Sequence, residues 1–405
     1  MFKIYSLFFA ALLLLVSCNG EDKKVTENQT DSKSEIKDSS LVQVESAVAE
    51  QKIIPCYNDS LNALAEIIAG QNTGKSFLSF VSQSNSFKSF QKTFDKRWHT
   101  FDSTRLTNLK KFSSDEINSV IKTENTLFYP FSGPDILHAQ TFFPTAQQYI
   151  MIGLEPVGSL PVFKEDEVDS LNLYFNKINT SLNAILKFSF FRTESMSKDL
   201  KNTEVDGTIH LICLFLKRTG NQLCSVKPVT VDTNGVLSYV DDFDKLKKMN
   251  VYTKGVEIHF TDVNHEPKKV IYYSVNAVDV SLNKNKGFKK YLENIGNVTT
   301  YLKGASYLMH KSYFSTIRNF ILNNSSQVVQ DDSGIAFHYF DESSHQWDYK
   351  FYGQYTKPIP MFSAFYQKDL DSTYKVIGSK PIGFGIGYNF KDKNSNFMIA
   401  IKKAG

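Results

Sequence analysis

Acidic side chains follow two apolar segments in the first half of the chain. Residues 126–158 read TLFYPFSGPDILHAQTFFPTAQQYIMIGLEPVG, so Ser132, Gly133 and Asp135 follow the first segment and Glu155 follows the second. In a dinucleotide-binding fold, glycines after the first strand admit a pyrophosphate, and an acid about 20 residues later binds the ribose hydroxyls. The acid is present here, but the glycine triplet is not. We therefore expect this architecture without a nucleotide or any other cofactor.

The same segment predicts how these side chains are placed. A strand, a short helix and a second strand form a crossover that leaves both strands parallel and both following turns at one sheet edge. Ser132–Asp135 should therefore lie beside Glu155, in the crevice where α/β folds bind ligands. Asp135 would repel a phosphate at the start of the helix. We expect a hydroxyl-rich, amine-bearing or metal-bridged ligand, and an exposed Glu155 that supports no core.

A second acidic sequence, DDSG, supplies Asp331, Asp332 and Ser333. Adjacent carboxylates can bind a cation or take part in acid–base chemistry. Asp and Gly are also the residues that hairpin turns favour, because they tolerate unusual backbone angles. The sequence therefore predicts a β-hairpin in which DDSG joins SQVVQ to IAFHYF.

Two further polar motifs carry weaker signals. AGQNTGKS, residues 69–76, has the spacing of a phosphate-binding loop, but it follows a segment with helical periodicity where that loop needs a strand. HFTDVNHE, residues 259–266, contains residue types that bind metals, but polar residues are also usual in hairpin loops. We expect neither a nucleotide nor a metal at these motifs. No GxSxG sequence marks a hydrolase nucleophile.

The N-terminus predicts export. One lysine precedes an apolar run from Leu7 to Val16, which is typical of a signal peptide, here residues 1–17. The run is too short for a membrane-spanning helix, which needs about 20 residues. The four residues that end at Cys18, LVSC, resemble the bacterial lipobox. This resemblance implies that Cys18 becomes the mature N-terminus and carries acyl chains such as palmitate.

Residues 18–51 are predicted to be a lipidated tether. The segment after Cys18 has no aromatic residue and is rich in Ser, Glu, Asp, Lys and Thr, so it buries too little apolar surface to offset chain entropy. Asn19, where an aspartate would favour inner-membrane retention, favours the outer membrane, with a periplasmic or surface orientation left open. The membrane is thus an expected partner. A net charge of +4 without a basic tract gives no support for nucleic-acid binding.

Export also places the cysteines in an oxidising compartment. Cys56, Cys213 and Cys224 remain once Cys18 is acylated. Cys213 and Cys224 flank LFLKRTGNQL and would meet if that segment folds back on itself. An odd number leaves at least one thiol unpaired, and the sequence leaves the Cys213–Cys224 pairing open.

The rest of the chain predicts helices followed by an α/β body. Helical periodicity dominates residues 52–122, and the body spans 123–405, with a candidate subdomain boundary near 240–255. Within the body the pattern predicts helices at 165–188, 205–220, 313–325 and 362–375, and strands at 222–231, 255–261 and 268–276. The fold class is therefore α/β: a Rossmann-like parallel βαβ core preceded by helices, with a mixed α+β second half.

Six long phrases occur in order along the chain: FYPFSGPDILHAQTFFP, YIMIGLEPVG, FFRTESM, YLKGASYLMH, QDDSGIAFHYF and YGQYTKPI. Together they resemble an uncharacterised family of bacterial, lipoprotein-like proteins, over about residues 60–390. The resemblance implies a shared fold and supplies no reaction or ligand. The polar residues within these phrases either cap helices and turns or form a pocket, whose candidates are Ser132, Gly133, Asp135, Glu155, Arg192, Lys303, Asp331, Asp332 and Ser333.

Two classes of function fit these features. The first is an envelope protein that binds a small molecule or an envelope-protein partner at the strand ends. The second is an extracytoplasmic enzyme on a methyltransferase-like or hydrolase-like scaffold that uses Asp135, Glu155 and Asp331. A cleft with several ionisable groups of shifted pKa would favour the enzyme, whereas a shallow, wet surface would favour the binding protein.

Overall fold

The computed structural model describes residues 58–188, 205–343, 346–390 and 395–403. The signal peptide, Cys18, the tether and Arg192 lie outside these ranges. Within them, the strands form one mixed sheet. They are β1 (Thr126–Pro130), β2 (Gln148–Gly153), β3 (Gln222–Val231), β4 (Leu237–Tyr239), β5 (Lys254–Thr261), β6 (Pro267–Ser274), β7 (Val298–Leu302), β8 (Ser325–Gln330), β9 (Trp347–Gly353) and β10 (Asn396–Lys402).

The strand order across the sheet is β4-β3-β5-β6-β2-β1-β7-β8-β10-β9. The five central strands, from β6 to β8, are parallel to one another. The outer pairings on both sides are antiparallel. The carboxyl ends of the central strands therefore meet at one edge of the sheet.

The α-helices of the described ranges precede the sheet or connect its strands. They are α1 (Asp59–Ile68), α2 (Ser79–Gln83), α3 (Asn85–Phe101), α4 (Thr107–Phe112), α5 (Ile136–Phe142), α6 (Val168–Phe188), α7 (Ile209–Arg218), α8 (Phe243–Lys248), α9 (Asp279–Lys284), α10 (Lys286–Asn294), α11 (Ser315–Asn324), α12 (His338–Asp341) and α13 (Lys368–Ile377). Two π-helical turns, Asp102–Leu106 and Ser113–Ile117, flank α4.

Both faces of the sheet are buried. Side chains of successive strand residues point to opposite faces, so Leu127 and Tyr129 join the cluster that includes the N-terminal helices, whereas Phe128 joins the cluster beneath α10 and α11. Apolar burial on both faces explains the nearly continuous apolar sequence of the central strands, which is typical of parallel sheets.

The structure confirms the α/β class, the parallel unit β1-α5-β2 and the antiparallel hairpin of β5 and β6. It also confirms a helix in the segment at 205–220, where α7 is buried from Ile209 to Lys217. In the segment predicted as one helix at 362–375, a 3₁₀ helix, Pro360–Phe365, precedes α13.

The hairpin predicted around DDSG is wrong. The strand SQVVQ lies inside β8, which pairs with β7 on one side and with β10 on the other. No edge of β8 is left for IAFHYF, which instead turns away from the sheet and leads into α12. DDSG therefore belongs to the carboxyl end of a central strand, where an α/β sheet places functional residues.

The cysteines do not form the pair that their spacing suggested. Cys213 is a free thiol buried in α7, whereas Cys224 in β3 is disulfide-bonded. Burial raises the pKa of the Cys213 thiol to about 12, so the thiolate is disfavoured at neutral pH. Cys213 is therefore an apolar core residue.

No helix in the described ranges has the length and apolar character needed to cross a membrane.

Candidate binding site at the strand ends

The sheet has a topological switch point between β1 and β7. From β1 the chain proceeds to β2 and β6 on one side, and it then returns to add β7 and β8 on the other side. Open α/β sheets bind ligands in the crevice at such a point, beyond the carboxyl ends of the strands. We call the buried polar residues at this edge the strand-end cluster: Ser132, Asp135, Glu155, Lys303, Asp331, Asp332 and Ser333.

Asp135 is the centre of the β1 side of the strand-end cluster. It precedes α5, and its Oδ1 accepts a hydrogen bond from the backbone N–H of His138, as a helix-capping residue does. The imidazole Nδ1 of His138 lies 2.8 Å from the same oxygen. Oδ2 accepts from the Tyr129 hydroxyl at 3.0 Å and lies 2.5 Å from the ammonium of Lys303. Both oxygens are thus fully engaged.

The charge of Asp135 is compensated within the protein. Burial by itself raises the pKa of this carboxyl, but interactions with His138 and Lys303 outweigh burial and lower the pKa to about 2. Burial lowers the pKa of His138 below its ordinary value. The imidazole is therefore neutral at pH 7 and contributes a hydrogen bond, while Lys303 supplies the compensating charge.

Asp331 and Asp332 form the β8 side. Asp331 Oδ2 accepts from the backbone N–H of Gly304 at 2.9 Å, and Oδ1 accepts from both the N–H and the hydroxyl of Ser333. Asp332 accepts from the Tyr307 hydroxyl at 2.6 Å and from the Asn396 amide at 2.9 Å. These bonds fix the loops after β7 and β8 against the first residue of β10.

The two adjacent carboxylates differ from Asp135 in their ionisation. Burial and the neighbouring charge of Asp332 raise the pKa of Asp331 to about 6. Burial likewise raises the pKa of Asp332. Lys303 also lies near Asp331, but its ammonium bonds to Asp135 Oδ2, and among the described residues no cation forms an ion pair with Asp331 or Asp332. The β8 side of the cluster can therefore hold a proton near neutral pH.

The hydroxyl of Tyr301 is a buried, unsatisfied group of the site. Tyr301 is in β7 and is fully buried, and its oxygen has no hydrogen-bond partner. The carboxylates of Asp135 and Asp331 are both close enough to raise its pKa further, after burial. Buried polar groups are nearly always hydrogen-bonded, so an unpartnered phenol between two carboxylates requires an explanation.

Glu155 lies against Gly133, as predicted, but it is not exposed. A Cβ atom on Gly133 would lie 3.5 Å from Glu155 Oε1, and a Cβ atom on Gly153 would lie 2.3 Å from Oε2. The Tyr272 hydroxyl donates to the backbone carbonyl of Glu155 and lies 3.3 Å from Oε2. Glu155 has 0% exposure. The expectation that it supports no core is therefore wrong, because the loop after β2 folds its side chain back over two glycines.

The loops of the site adopt uncommon backbone conformations. Phe131 after β1, and Ser306 and Tyr307 after β7, have positive φ angles although they are not glycine. Each such conformation costs about 1–3 kcal/mol and persists only where the surroundings enforce it, most often at functional sites. Their location in loops at the switch point is therefore an independent sign of function.

Several residues of the site were not predicted from the sequence, among them His138 and Tyr307. Arg105 reaches it from the first π-helical turn, and its charge acts on both His138 and Lys303. Tyr301 and Asn396 come from strands. π-Helical turns are frequent at functional sites, but sequence periodicity does not reveal them. The only sequence signal for Tyr301 is its position two residues before the candidate Lys303, which places both side chains on the same face of a strand.

The predicted residues within the described ranges all lie at this edge, but they do not line an open pocket. Ser132, Asp135, Glu155, Lys303, Asp331, Asp332 and Ser333 are each at most 5% exposed. Two surface depressions, of about 470 and 550 Å³, lie at Asp242–Met249 and between Gln83 and Asn172. The strand-end cluster is closed in this structure.

The other two motifs have structural roles. Lys75 of AGQNTGKS lies 2.6 Å from Asp59 in α1. Asp262 of HFTDVNHE accepts hydrogen bonds from the backbone of Asn264 and Glu266 and thereby fixes the β5–β6 turn. Within the described ranges, no group of three or more His, Cys, Asp and Glu side chains is arranged to hold a metal ion.

Neither family models, curated proteins nor solved structures include a significant match to this chain. The chemistry of the site is therefore the basis for a function.

Proposed function

We propose that the chain is a lipid-anchored envelope protein that binds a small, hydroxyl-bearing molecule at the strand-end cluster. The support is the convergence of buried acids, a lysine and an unpartnered phenol at the switch point of an α/β sheet. Such a crevice is the usual ligand site of this class of sheet. The strained loops around it are a second, independent support.

The unpartnered Tyr301 hydroxyl carries the proposal. A ligand hydroxyl placed beside Tyr301, Asp135 and Asp331 would accept from the phenol, which satisfies the unpartnered group, and would donate to a carboxylate oxygen as one more donor. A phosphate would accept from the phenol but would face two carboxylates, so it fits poorly. An ammonium group would pair with Asp331 but could not accept from the phenol. A hydroxyl therefore suits the site best.

Access requires movement of the loop before β10, residues 383–388. The Tyr388 hydroxyl donates to the Gly304 carbonyl at 2.8 Å and lies 2.7 Å from the Ser306 hydroxyl. A Cβ atom on Gly387 would lie 2.2 Å from Asp331 Oδ2, so this loop packs directly on the acid pair. Opening this loop as a lid would break these contacts, the hydrogen bond from the Ile386 N–H to the Ser395 hydroxyl and that from Arg105 to the Gly385 carbonyl.

Tyr301→Phe tests the proposal because it removes only the hydroxyl. Without ligand, this variant should be more stable than the wild type by about 1 kcal/mol, since a buried unpartnered polar group is lost. Ribose and adenosine should raise the melting temperature of the wild type and not that of the variant. Spermidine serves as the amine-only probe. Equal responses of both proteins, or no response to any probe, would overturn the site.

A second candidate, a methyltransferase-like enzyme, rests on the strand order. If β3, β4 and β5 are left out and the other strands are numbered 1 to 7 in chain order, their order across the sheet from β6 to β9 is 3-2-1-4-5-7-6. In this set only β10 is antiparallel to the other strands. This is the order of many methyltransferases, and Glu155 ends the second strand, where an acid binds ribose. The likeness is one of fold and does not establish a reaction. S-adenosylmethionine should then stabilise the protein more than adenosine does.

The anchor is tested separately by Cys18→Ser. If Cys18 carries the acyl chains, the wild type should fractionate with membranes, because two or more chains give a stable anchor. The variant should be released or remain an uncleaved precursor. A variant that matures and stays membrane-bound as the wild type does would contradict the lipobox interpretation.

A further inference from the structure

Arg318 in α11 is a buried cation without a counter-ion. Its side chain is 6% exposed. Its Nη1 donates to the backbone carbonyls of Met309 at 2.9 Å and Lys311 at 3.1 Å, and its guanidinium lies 3.7 Å from the ring centroid of Tyr339. Among the described residues, no carboxylate lies within ion-pair distance of it. Its Nε, also shielded from water, has no hydrogen-bond partner.

A second unpartnered nitrogen lies next to this guanidinium. Nε2 of His310 is buried and has no partner, and His310 is the residue between the two carbonyls that Arg318 binds. Burial, opposed by a hydrogen bond to the backbone of Asp332 and assisted by the nearby charge of Arg318, lowers the pKa of His310 to about 4. The ring bonds to the backbone of Asp332 through Nδ1, so Nε2 donates only from the imidazolium, the form that a bound anion favours.

The surroundings of these two donors are basic and aromatic. Lys311 approaches the rings of Tyr313 and Phe365, and the exposed His338 packs against Tyr339 with ring centroids 4.0 Å apart and the rings tilted by 44°. Asp279 is engaged by the backbone and hydroxyl of Ser315 and by the backbone of Thr316 at the start of α11. It therefore cannot neutralise Arg318.

A buried guanidinium without a counter-ion is costly, because the charge loses its hydration and gains no partner. A bound oxyanion would replace the lost hydration and provide the missing counter-charge. It would accept from Arg318 Nε and from His310 Nε2, and it would compensate the guanidinium charge. Arginine is the residue best suited to this task, because its planar donor groups match the oxygens of carboxylates and phosphates.

We propose that Arg318 and His310 form an oxyanion subsite for a phosphate or carboxylate group, covered by Tyr339 and His338. The subsite borders the strand-end cluster, since His310 contacts the backbone of Asp332 and the ring of Tyr307, but it does not depend on the function proposed for that cluster. The ligand would enter where Tyr339 and His338 face solvent, since His338 is exposed. Phosphate, sulfate and acetate represent the ligand chemistry in the test.

Arg318→Lys is the informative variant. It keeps a cation and an aliphatic stem in the core, so the protein should fold, but it removes the Nε donor and the planar fork. Inorganic phosphate, titrated at constant ionic strength, should raise the melting temperature of the wild type and bind Arg318→Lys at least about tenfold more weakly. Arg97→Lys is the matched control, because Arg97 is half-buried and donates to Asn179 elsewhere in the protein.

A direct readout is the Nε–H resonance of Arg318 in a ¹⁵N-labelled protein. The resonance that is missing from Arg318→Lys should shift when phosphate binds, and His310→Gln should reduce the shift. Vesicles of phosphatidylglycerol, compared with free phosphate, separate a lipid headgroup from a soluble ligand. A wild type that responds to phosphate no more than to chloride, or an Arg318→Lys variant that responds equally, would overturn the subsite.

Discussion

The ammonium of Lys303 lies 2.5 Å from the carboxylate of Asp135, and neither side chain is more than 1% exposed. The two residues end neighbouring strands, β7 and β1, on opposite sides of the switch point. This buried ion pair joins the two halves of the parallel sheet where an α/β fold usually leaves a crevice. It also explains why the site is closed.

Breaking the pair from one side should be costly. Asp135→Asn leaves Lys303 as an uncompensated buried charge, which we expect to reduce the free energy of unfolding by about 3–5 kcal/mol. Lys303→Met combined with Asp135→Asn should cost less than Asp135→Asn alone, since no unpaired charge remains. Urea denaturation of the three proteins measures this. A double variant less stable than Asp135→Asn would show that packing rather than charge determines the loss of stability.

The lowered pKa of Asp135 predicts how the stability of the protein changes in acid. The pKa of Asp135 is lowered to about 2 in the folded protein, from an ordinary value of 3.8. Its contribution, about 2 kcal/mol by linkage, is therefore present above pH 3.8 and is lost as the pH falls towards 2. The double variant should lack this loss. Urea denaturation between pH 2 and 5 compares the two proteins.

Asp331 should change the stability with pH in the opposite direction to Asp135. Its pKa is raised to about 6 in the folded protein, so its contribution to stability is present below the ordinary value of 3.8 and decreases as the pH rises through 6. Asp331→Asn should flatten the stability profile between pH 4 and 6, whatever it costs in hydrogen bonds to Gly304 and Ser333. Asp241→Asn, an exposed carboxylate, is the control. An unchanged slope in Asp331→Asn would contradict the raised pKa.

The glycine beneath Glu155 should not tolerate a methyl group. A Cβ atom on Gly153 would lie 2.3 Å from Glu155 Oε2 and 2.7 Å from the Tyr272 hydroxyl. Gly153→Ala should therefore destabilise the protein by about 1–3 kcal/mol, the usual cost of overpacking. Gly74→Ala is the matched control, since no atom lies within 4 Å of its added Cβ. Equal stability of the two variants in thermal unfolding would show that the loop after β2 moves freely.

Local patterns in the sequence predicted the elements and the edge of the sheet at which the polar residues lie. The βαβ unit was predictable because its apolar strands, the helix start at Asp135 and Glu155 fall within one short segment. The role of DDSG was not, because whether IAFHYF pairs with β8 depends on β10, which is about 65 residues later in the chain. The burial of Glu155 depends on Tyr272 of β6, which is likewise distant in sequence.

The cysteines give a prediction about compartment and chemistry. Cys213 is free and buried, and Cys224 is disulfide-bonded. Disulfides persist in oxidising compartments, so this pattern agrees with the proposed export. In the native mature protein, no thiol should react with Ellman's reagent at neutral pH, since Cys213 is inaccessible and its pKa is raised.

Denaturation without reductant should expose one class of thiol, that of Cys213, and a Cys213→Ala variant should then show none. After reduction, Cys224 and its partner should react as well. Cys224→Ser should destabilise the protein by about 2–5 kcal/mol, the range for loss of a native disulfide, whereas Cys213→Ser should cost less because no cross-link is lost. If Cys224 reacts in the denatured, unreduced wild type, the bond does not form in the exported protein, and the agreement between disulfide and compartment fails.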